Sequence, residues 1–250
     1  MAQIGIEYIE HFAAARAAGV IMNGGQDVSN GSDVAEGLRS ALESRGHTIK
    51  LHWIETDVFE VDMRDQSLGG FDQQAADAVD LFFICTHGGY ESGETILLYD
   101  RKVDDWLGHS SKWRFGDACG LEWLLIYGCH TINRDNIVEH LHLFNGLHLF
   151  CGAYDDMHDC WTIDDAGEDT GNNMTSGDDV ADAWCDGVSD WWVDNHPMVI
   201  SVENAATYNG GNPDWANTMI ASDHLWGHGT THPDIKQSDA YWMSSIWSEG

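Results

Sequence analysis

The sequence has very little positive charge. Four lysines and seven arginines stand against 42 acids in 250 residues, a formal net charge of −31 with histidine neutral. That shortage argues against a protein that grips a nucleic-acid backbone, because each phosphate contact needs a cation and no local basic patch is visible. The deficit deepens along the chain: residues 1–134 carry 21 acids and 10 bases, whereas 135–250 carry 21 acids and one base, Lys236. No apolar run approaches 18 residues, and the stretch 1–10 has no basic segment ahead of an apolar one. Neither a membrane span nor an export signal is therefore expected. The six cysteines, at 85, 119, 129, 151, 160 and 185, form no CxxC pair. A zinc ribbon and a thioredoxin-type redox centre are thus not indicated, and most of the thiols are expected to be buried and unpaired. No internal repeat, low-complexity tract or linker divides the chain, so a single domain over 1–250 is expected.

What is present is enough for a core, with 43% apolar residues. Aspartate outnumbers glutamate 29 to 13, and the acids are scattered over helix faces and loops. Such a chain repels itself at low ionic strength, and molar salt screens the charges within roughly 3 Å. The composition reads as that of a salt-adapted, cytoplasmic protein with a solvated acidic surface, in preference to a dedicated cation-binding one. Among the twelve tryptophans, Trp184, Trp191 and Trp192 fall at helical spacing and are expected in the core.

Strands and helices alternate. Ile4–Ile9 reads as a short strand or helix start, and Met22–Asp33 as a Gly/Asn/Ser loop. A helix over Val34–Arg45, capped by Ser32-Asp33 and stopped by Gly46, is followed by a strand over Thr48–Ile54. Residues 57–75 read as irregular. Three continuous apolar runs, Ala78–Cys85, Leu121–Tyr127 and Leu147–Ala153, have the character of central strands covered on both faces. Between the last two the pattern predicts a helix over Asn133–Phe144. An acidic, Gly-rich loop over Asp164–Gly177 then precedes an amphipathic helix of Val180, Trp184, Val188 and Trp191, and a strand over Met198–Val202 follows Pro197. The fold class is α/β, with a mostly parallel sheet and helices on both faces.

Ligands of parallel sheets bind beyond the carboxyl ends of the strands. The first apolar run delivers His87-Gly88 there and the second delivers Cys129, so on neighbouring strands an imidazole and a thiol share one rim. Such a pair suits nucleophilic catalysis: His raises the thiolate fraction and then protonates the leaving amine. Gly88 lets a carbonyl approach, and its N–H with that of Cys129 would make an oxyanion hole.

The stretches FFICTHGG and WLLIYGCHT, in the order His then Cys and 42 residues apart, resemble the two catalytic blocks of the caspase-like (clan CD type) cysteine peptidases. The Cys-His-Thr of the second block is nearest to the Cys-His-Ser of metacaspases, within a prokaryotic branch. The resemblance is specific over those blocks and general from about Val34 to Val202. It implies a caspase-like α/β/α sandwich, a peptide or protein substrate, no cofactor, His87 as base, Cys129 as nucleophile and Gly88 as oxyanion partner. Tyr127-Gly128-Cys129 stands where caspases have Gln-Ala-Cys, and Tyr127 where metacaspases usually have an Asp that helps hold a basic side chain. Asp155 and Asp156, directly after the third apolar run, take the place where such a pocket is often floored, and a carboxylate there would pair with Arg or Lys before the cleaved bond. With Lys236 the one base after Arg134, such an enzyme is expected to work as one unprocessed chain.

Other constellations are weaker. His224, His228 and His232 sit four apart, but Gly227, Gly229 and Pro233 argue against a helix that would gather them on a metal; a loop site with Asp223 and Asp234 stays open. Asp164, Asp165, Glu168 and Asp169 miss the spacing of a calcium loop, so no metal is expected there. Cys85 and Cys151 are expected as inert core, and Cys119, Cys160 and Cys185 have no basic partner in the pattern. His130 is expected to point away from the nucleophile in a structural role. Two rivals to the peptidase remain: a catalytically silent caspase-like binding module, and a metal-dependent hydrolase built on the three downstream histidines.

Overall fold

The computed structural model describes residues 1–22, 26–116, 120–160, 163–189, 193–209 and 211–249; Cys119, Trp191 and Trp192 lie outside them. In chain order the elements are β1 (Gln3–Tyr8), α1 (Ala13–Ala17), α2 (Gly31–Ser44), β2 (Thr48–Ile54), β3 (Leu81–Cys85), β4 (Gly88–Glu91), β5 (Glu94–Leu98), β6 (Leu107–His109), β7 (Trp123–Tyr127), β8 (Leu149–Ala153), α3 (Ala166–Ser176), α4 (Val180–Val188), β9 (Pro197–Glu203), β10 (Tyr208–Asn209), β11 (Asn212–Pro213) and β12 (Trp242–Trp247). Seven strands form the central sheet in the order β2-β1-β3-β7-β8-β9-β12. The first five run parallel. β9 is antiparallel to β8, and β12 is antiparallel to β9. This is the mostly parallel α/β sheet that the alternation of elements predicts.

The three central strands β3, β7 and β8 are buried at every position, as continuous apolar runs require. Side-chain alternation sends their residues to two unlike layers. On one face Tyr8 reaches Glu36 of α2, and the Trp184 indole of α4 donates to the Gly152 carbonyl of β8. On the other face Phe150 meets the ring of His140 edge-on. There the covering elements are short 3-10 turns and the three-stranded sheet β4-β5-β6.

Two expected elements differ. The segment 133–144 forms a 3-10 helix over Ile137–Leu143 in place of an α-helix. Its polar side chains compete for the backbone: His140 Nε2 accepts from the Asn133 amide at 3.1 Å, and the His142 ring bridges the Glu139 and Ser110 carbonyls at 2.8 Å each. The acidic loop expected over 164–177 is the helix α3, packed between α2 and α4. Smaller shifts occur at element ends. β3 starts at Leu81, and Asn30 takes the cap position of α2 while Ser32 turns to the Glu10 carboxylate. No helix among the described residues is long and apolar enough to cross a membrane.

One charge in the sheet has no solvent. Glu7 of β1 is fully buried, and neither carboxylate oxygen has a hydrogen-bond partner. Burial, and then the nearby Asp62 carboxylate, push its pKa well above the ordinary value. Asp62 itself is pushed up to about 7, chiefly by burial. A raised carboxyl pKa in the folded state means that the unfolded chain gives up its proton first, so stability is highest below the ordinary carboxyl range and falls as pH rises through the folded values. Glu7→Gln, isosteric and neutral, is expected to raise the melting temperature at pH 8 and to leave it unchanged at pH 4. A pair of calorimetric scans checks both halves.

Candidate active site

β3 and β7 pair in parallel with Cys85 level with Tyr127. His87 and Cys129, each two residues further on, therefore leave the sheet at the same height and side by side. The two connecting turns touch backbone to backbone. A Cβ on Gly88 would lie 2.5 Å from the Cys129 carbonyl oxygen, and one on Gly128 would lie 2.7 Å from that of Thr86. Neither turn has room for a side chain, so glycine at 88 and 128 brings the His and Cys blocks together.

Thiol and imidazole line one cavity of about 310 Å³, together with Gln26, Tyr127, Asp156 and Asp159 among others. No hydrogen bond joins them. The His87 Nε2 donates to the Gln26 carbonyl at 2.7 Å, and the ring lies against Phe12 with centroids 4.8 Å apart. Because a carbonyl only accepts, this contact places the proton on Nε2 and leaves the lone pair on Nδ1 of the neutral ring. Cys129 Sγ lies 3.4 Å from both the amide nitrogen and the carbonyl oxygen of Met157. Burial raises its pKa; the Met157 backbone opposes this, and the Asp156 and Asp155 carboxylates add to it. The thiol is thus protonated, beside an imidazole that bonds to another partner.

The remaining expected residues are placed as follows. Asp156 lines the cavity, and Asp155 does not. Both face His130, whose Nε2 lies 3.0 Å from Asp156 Oδ1 and 3.6 Å from Asp155 Oδ1. His130 adopts a positive φ of 51° and its amide donates to the Asp155 carbonyl. The histidine after Cys129 therefore holds the acidic turn in position. Tyr127 is buried, with its hydroxyl on the His158 carbonyl at 2.9 Å and its ring edge-on to Trp184. Its side chain supports the cavity wall from the core.

Three lining residues carry no motif that would single them out. Asp27, bound to Arg16 and His11, and Asp159, bound to the amides of Ser29 and Asn30 ahead of α2, bring carboxylates from far along the chain. His158 brings a second imidazole. A single loop residue of this kind carries no signal in a sequence where acids are everywhere.

The downstream histidines do not converge on one another. His228 Nε2 meets His47 Nε2 at 3.0 Å, His232 Nε2 meets Ser222 Oγ at 2.8 Å, and His224 Nδ1 meets the Ser222 carbonyl at 2.8 Å. No metal-binding group among the described residues contains any of the three. Cys85 and Cys151 are buried in their strands, as is Cys185 on α4, and no disulfide joins the five described cysteines.

Fold and site together define an α/β protein with a thiol–imidazole cavity, rich in carboxylates, at the C-terminal ends of its parallel strands. The chain belongs to the family described as Domain of unknown function (DUF6345), whose model matches residues 7–248. No curated protein matches the sequence. Among solved structures it is similar to a secreted C11 cysteine protease from Bacteroides thetaiotaomicron, "iotapain", at 10% identity and a TM-score of 0.41. The match covers 80% of this chain and 66% of that one, so the chain spans just under two thirds of the solved protein.

Proposed function

We propose that the protein is a cysteine endopeptidase of the caspase-like kind, with Cys129 as nucleophile and His87 as general base and acid. The observation that carries this reading is that the thiol and the imidazole leave adjacent parallel strands at one height and line one cavity. His87 Nδ1 takes the Cys129 proton as Sγ adds to the scissile carbonyl, and the oxyanion is met by the N–H groups of Gly88 and Cys129. The protonated imidazole then gives its proton to the departing amine, and water hydrolyses the thioester. The Gln26 carbonyl holds the Nε2 proton and leaves Nδ1 as the basic nitrogen, and the ring and thiol, which share no hydrogen bond at rest, close on one another when substrate binds. The metacaspase-like reading of the Cys-His-Thr block belongs to the same proposal.

The substrate side chain before the cleaved bond is proposed to be Arg or Lys. Asp27, Asp156 and Asp159 give the cavity a negative wall, and a cation brought among them exchanges water for charge-assisted hydrogen bonds. The acidic composition supports salt adaptation as part of this proposal, so the assay belongs in molar potassium chloride. Profiling a peptide library under those conditions is expected to return Arg or Lys at that position. Preference for Asp or Asn, or self-cleavage within 164–177, would overturn it. One observation favours the catalytically silent module: the raised pKa of Cys129 together with its lack of a hydrogen bond to His87. An electrophilic peptide probe separates the two, since a silent module leaves Cys129 unlabelled.

A further inference from the structure

At the opposite, N-terminal ends of β7 and β8 lies a polar cluster that the peptidase reading does not use. Glu122 immediately precedes β7, His148 immediately precedes β8, and Asp234 comes from the segment after the downstream histidines. One ligand atom from each lies within 4.8 Å of the other two. His148 is fully buried and its Nε2 has no hydrogen-bond partner, nor has Oε2 of the buried Glu122. The two atoms stand 2.7 Å apart at angles that make no hydrogen bond, and Nε2 is 3.7 Å from Asp234 Oδ1. An imidazole nitrogen and two carboxylate oxygens therefore converge on one point in ionic contact, with no well-directed hydrogen bond from Nε2 to either carboxylate.

The other side of the imidazole is fixed. His148 Nδ1 lies 3.0 Å from Asp223 Oδ2. That carboxylate also accepts from the Trp123 indole at 2.6 Å and from the His232 amide at 2.7 Å. With Asp223 taking the Nδ1 proton, Nε2 is the nitrogen aimed at Glu122 and Asp234; burial lowers the ring's pKa, but Asp223, Asp234 and Glu122 together raise it to about 11, so an ion binding there takes the place of the Nε2 proton. A carboxylate that orients a histidine from behind is the usual outer support of a metal-ligating imidazole.

The geometry points to a divalent transition-metal site made by Glu122, His148 and Asp234, with Asp223 as the residue that positions the histidine. Donor atoms on a zinc ion at 2.0–2.2 Å lie roughly 3 to 3.6 Å from one another, which small side-chain rotations reach from the spacings here. The mixed nitrogen and oxygen set suits Zn²⁺ better than calcium or magnesium, which favour all-oxygen ligands. Asp234 is 56% exposed at its side chain, which gives the ion an entry path and room for a water ligand. Bound there, the ion would clamp the segment around Asp234 to the sheet, at the end of β7 remote from Cys129. A second proton on His148 Nε2 would also satisfy these carboxylates, and metal uptake distinguishes the two states.

The test is equilibrium dialysis of the whole chain against Zn²⁺ in molar potassium chloride, which suppresses loose binding to surface acids, followed by metal analysis and a thermal melt. One zinc per chain and a higher melting temperature are expected. Asp234→Asn, at an exposed position, and Glu122→Gln, isosteric, are each expected to weaken uptake by at least about tenfold. His11→Gln, in the separate Glu10–His11–Glu55 cluster, should leave it unchanged. Circular dichroism of each variant before metal is added verifies that it is folded. No uptake by the unaltered chain, equal uptake by folded Asp234→Asn, or loss in His11→Gln instead, would overturn the assignment.

Discussion

Cys129→Ala is expected to abolish peptide cleavage and labelling by an electrophilic peptide probe, with a loss of at least about a thousandfold, while the melting temperature stays close to that of the unaltered protein. The thiol is half-buried at the rim and its polar contacts are with the Met157 backbone, so its removal leaves the strands as they are. His87→Ala should lose nearly as much turnover, and it carries a second readout. Burial and the Asp156 and Asp155 carboxylates hold the Cys129 pKa above the ordinary thiol value. Without the imidazole, thiolate forms only as pH climbs through that raised value. Residual labelling of His87→Ala should therefore be negligible near neutrality and rise steeply in alkali. Labelling that maps to Cys85 or Cys160, or persists in Cys129→Ala, would remove the dyad. Cys85, fully buried in β3, is the control that should stay unlabelled.

How much of this site the sequence discloses depends on where each residue stands. His87 and Cys129 end continuous apolar runs, and such runs are legible because a strand covered on both faces has no polar alternation to confuse it. Their shared height follows from the register of β3 and β7, which no local pattern encodes. Gly88 was legible as an approach point for substrate, but its closer constraint is the Cys129 carbonyl. Asp27 and Asp159 were not legible, since one acid among 42 carries no signal until the fold brings it to the cavity. The sequence makes His130 structural and pointing away from Cys129; in the fold it meets Asp155 and Asp156, the two residues expected to face the substrate.

Asp223 and Asp234 teach the same lesson at the other end of the sheet. Nearness in sequence groups them with His224, His228 and His232. In the fold they gather around His148, more than seventy residues away from either. A long-range pairing across a parallel sheet is set by strand order, and the seven-strand order with its antiparallel edge lies beyond what periodicity conveys.

Gly167→Ala is expected to destabilise the protein by about 2–3 kcal/mol or more, as overpacking of a tight contact does, and to lower the melting temperature by roughly 5 °C or more for a chain of this size. A Cβ at 167 would fall well inside contact distance of the Val34 carbonyl oxygen on α2, an atom of the helix backbone that has no rotamer in which to retreat. Across the same contact, a Cβ on Gly37 would lie 2.9 Å from the Glu168 amide nitrogen, so the two helices meet at glycine from both sides. This contact explains why 164–177 reads as a loop. Gly167, Gly171, Asn172 and Asn173 are poor helix formers, and the residues facing inward, Ala166, Thr170 and Met174, make a stripe too weak to announce a helix. The repeat of small residues at 167 and 171 was the available signal, and it acquires meaning only beside Gly37. Tertiary packing therefore outweighs propensity here, and adding a methyl to improve intrinsic helicity by about 1 kcal/mol should still cost stability. Glu168→Ala, on the exposed side of α3, should change stability by no more than about 0.5 kcal/mol. Chemical denaturation of the two variants in molar potassium chloride checks the contrast. A Gly167→Ala protein as stable as the unaltered one would mean that α3 does not rest on α2 as described.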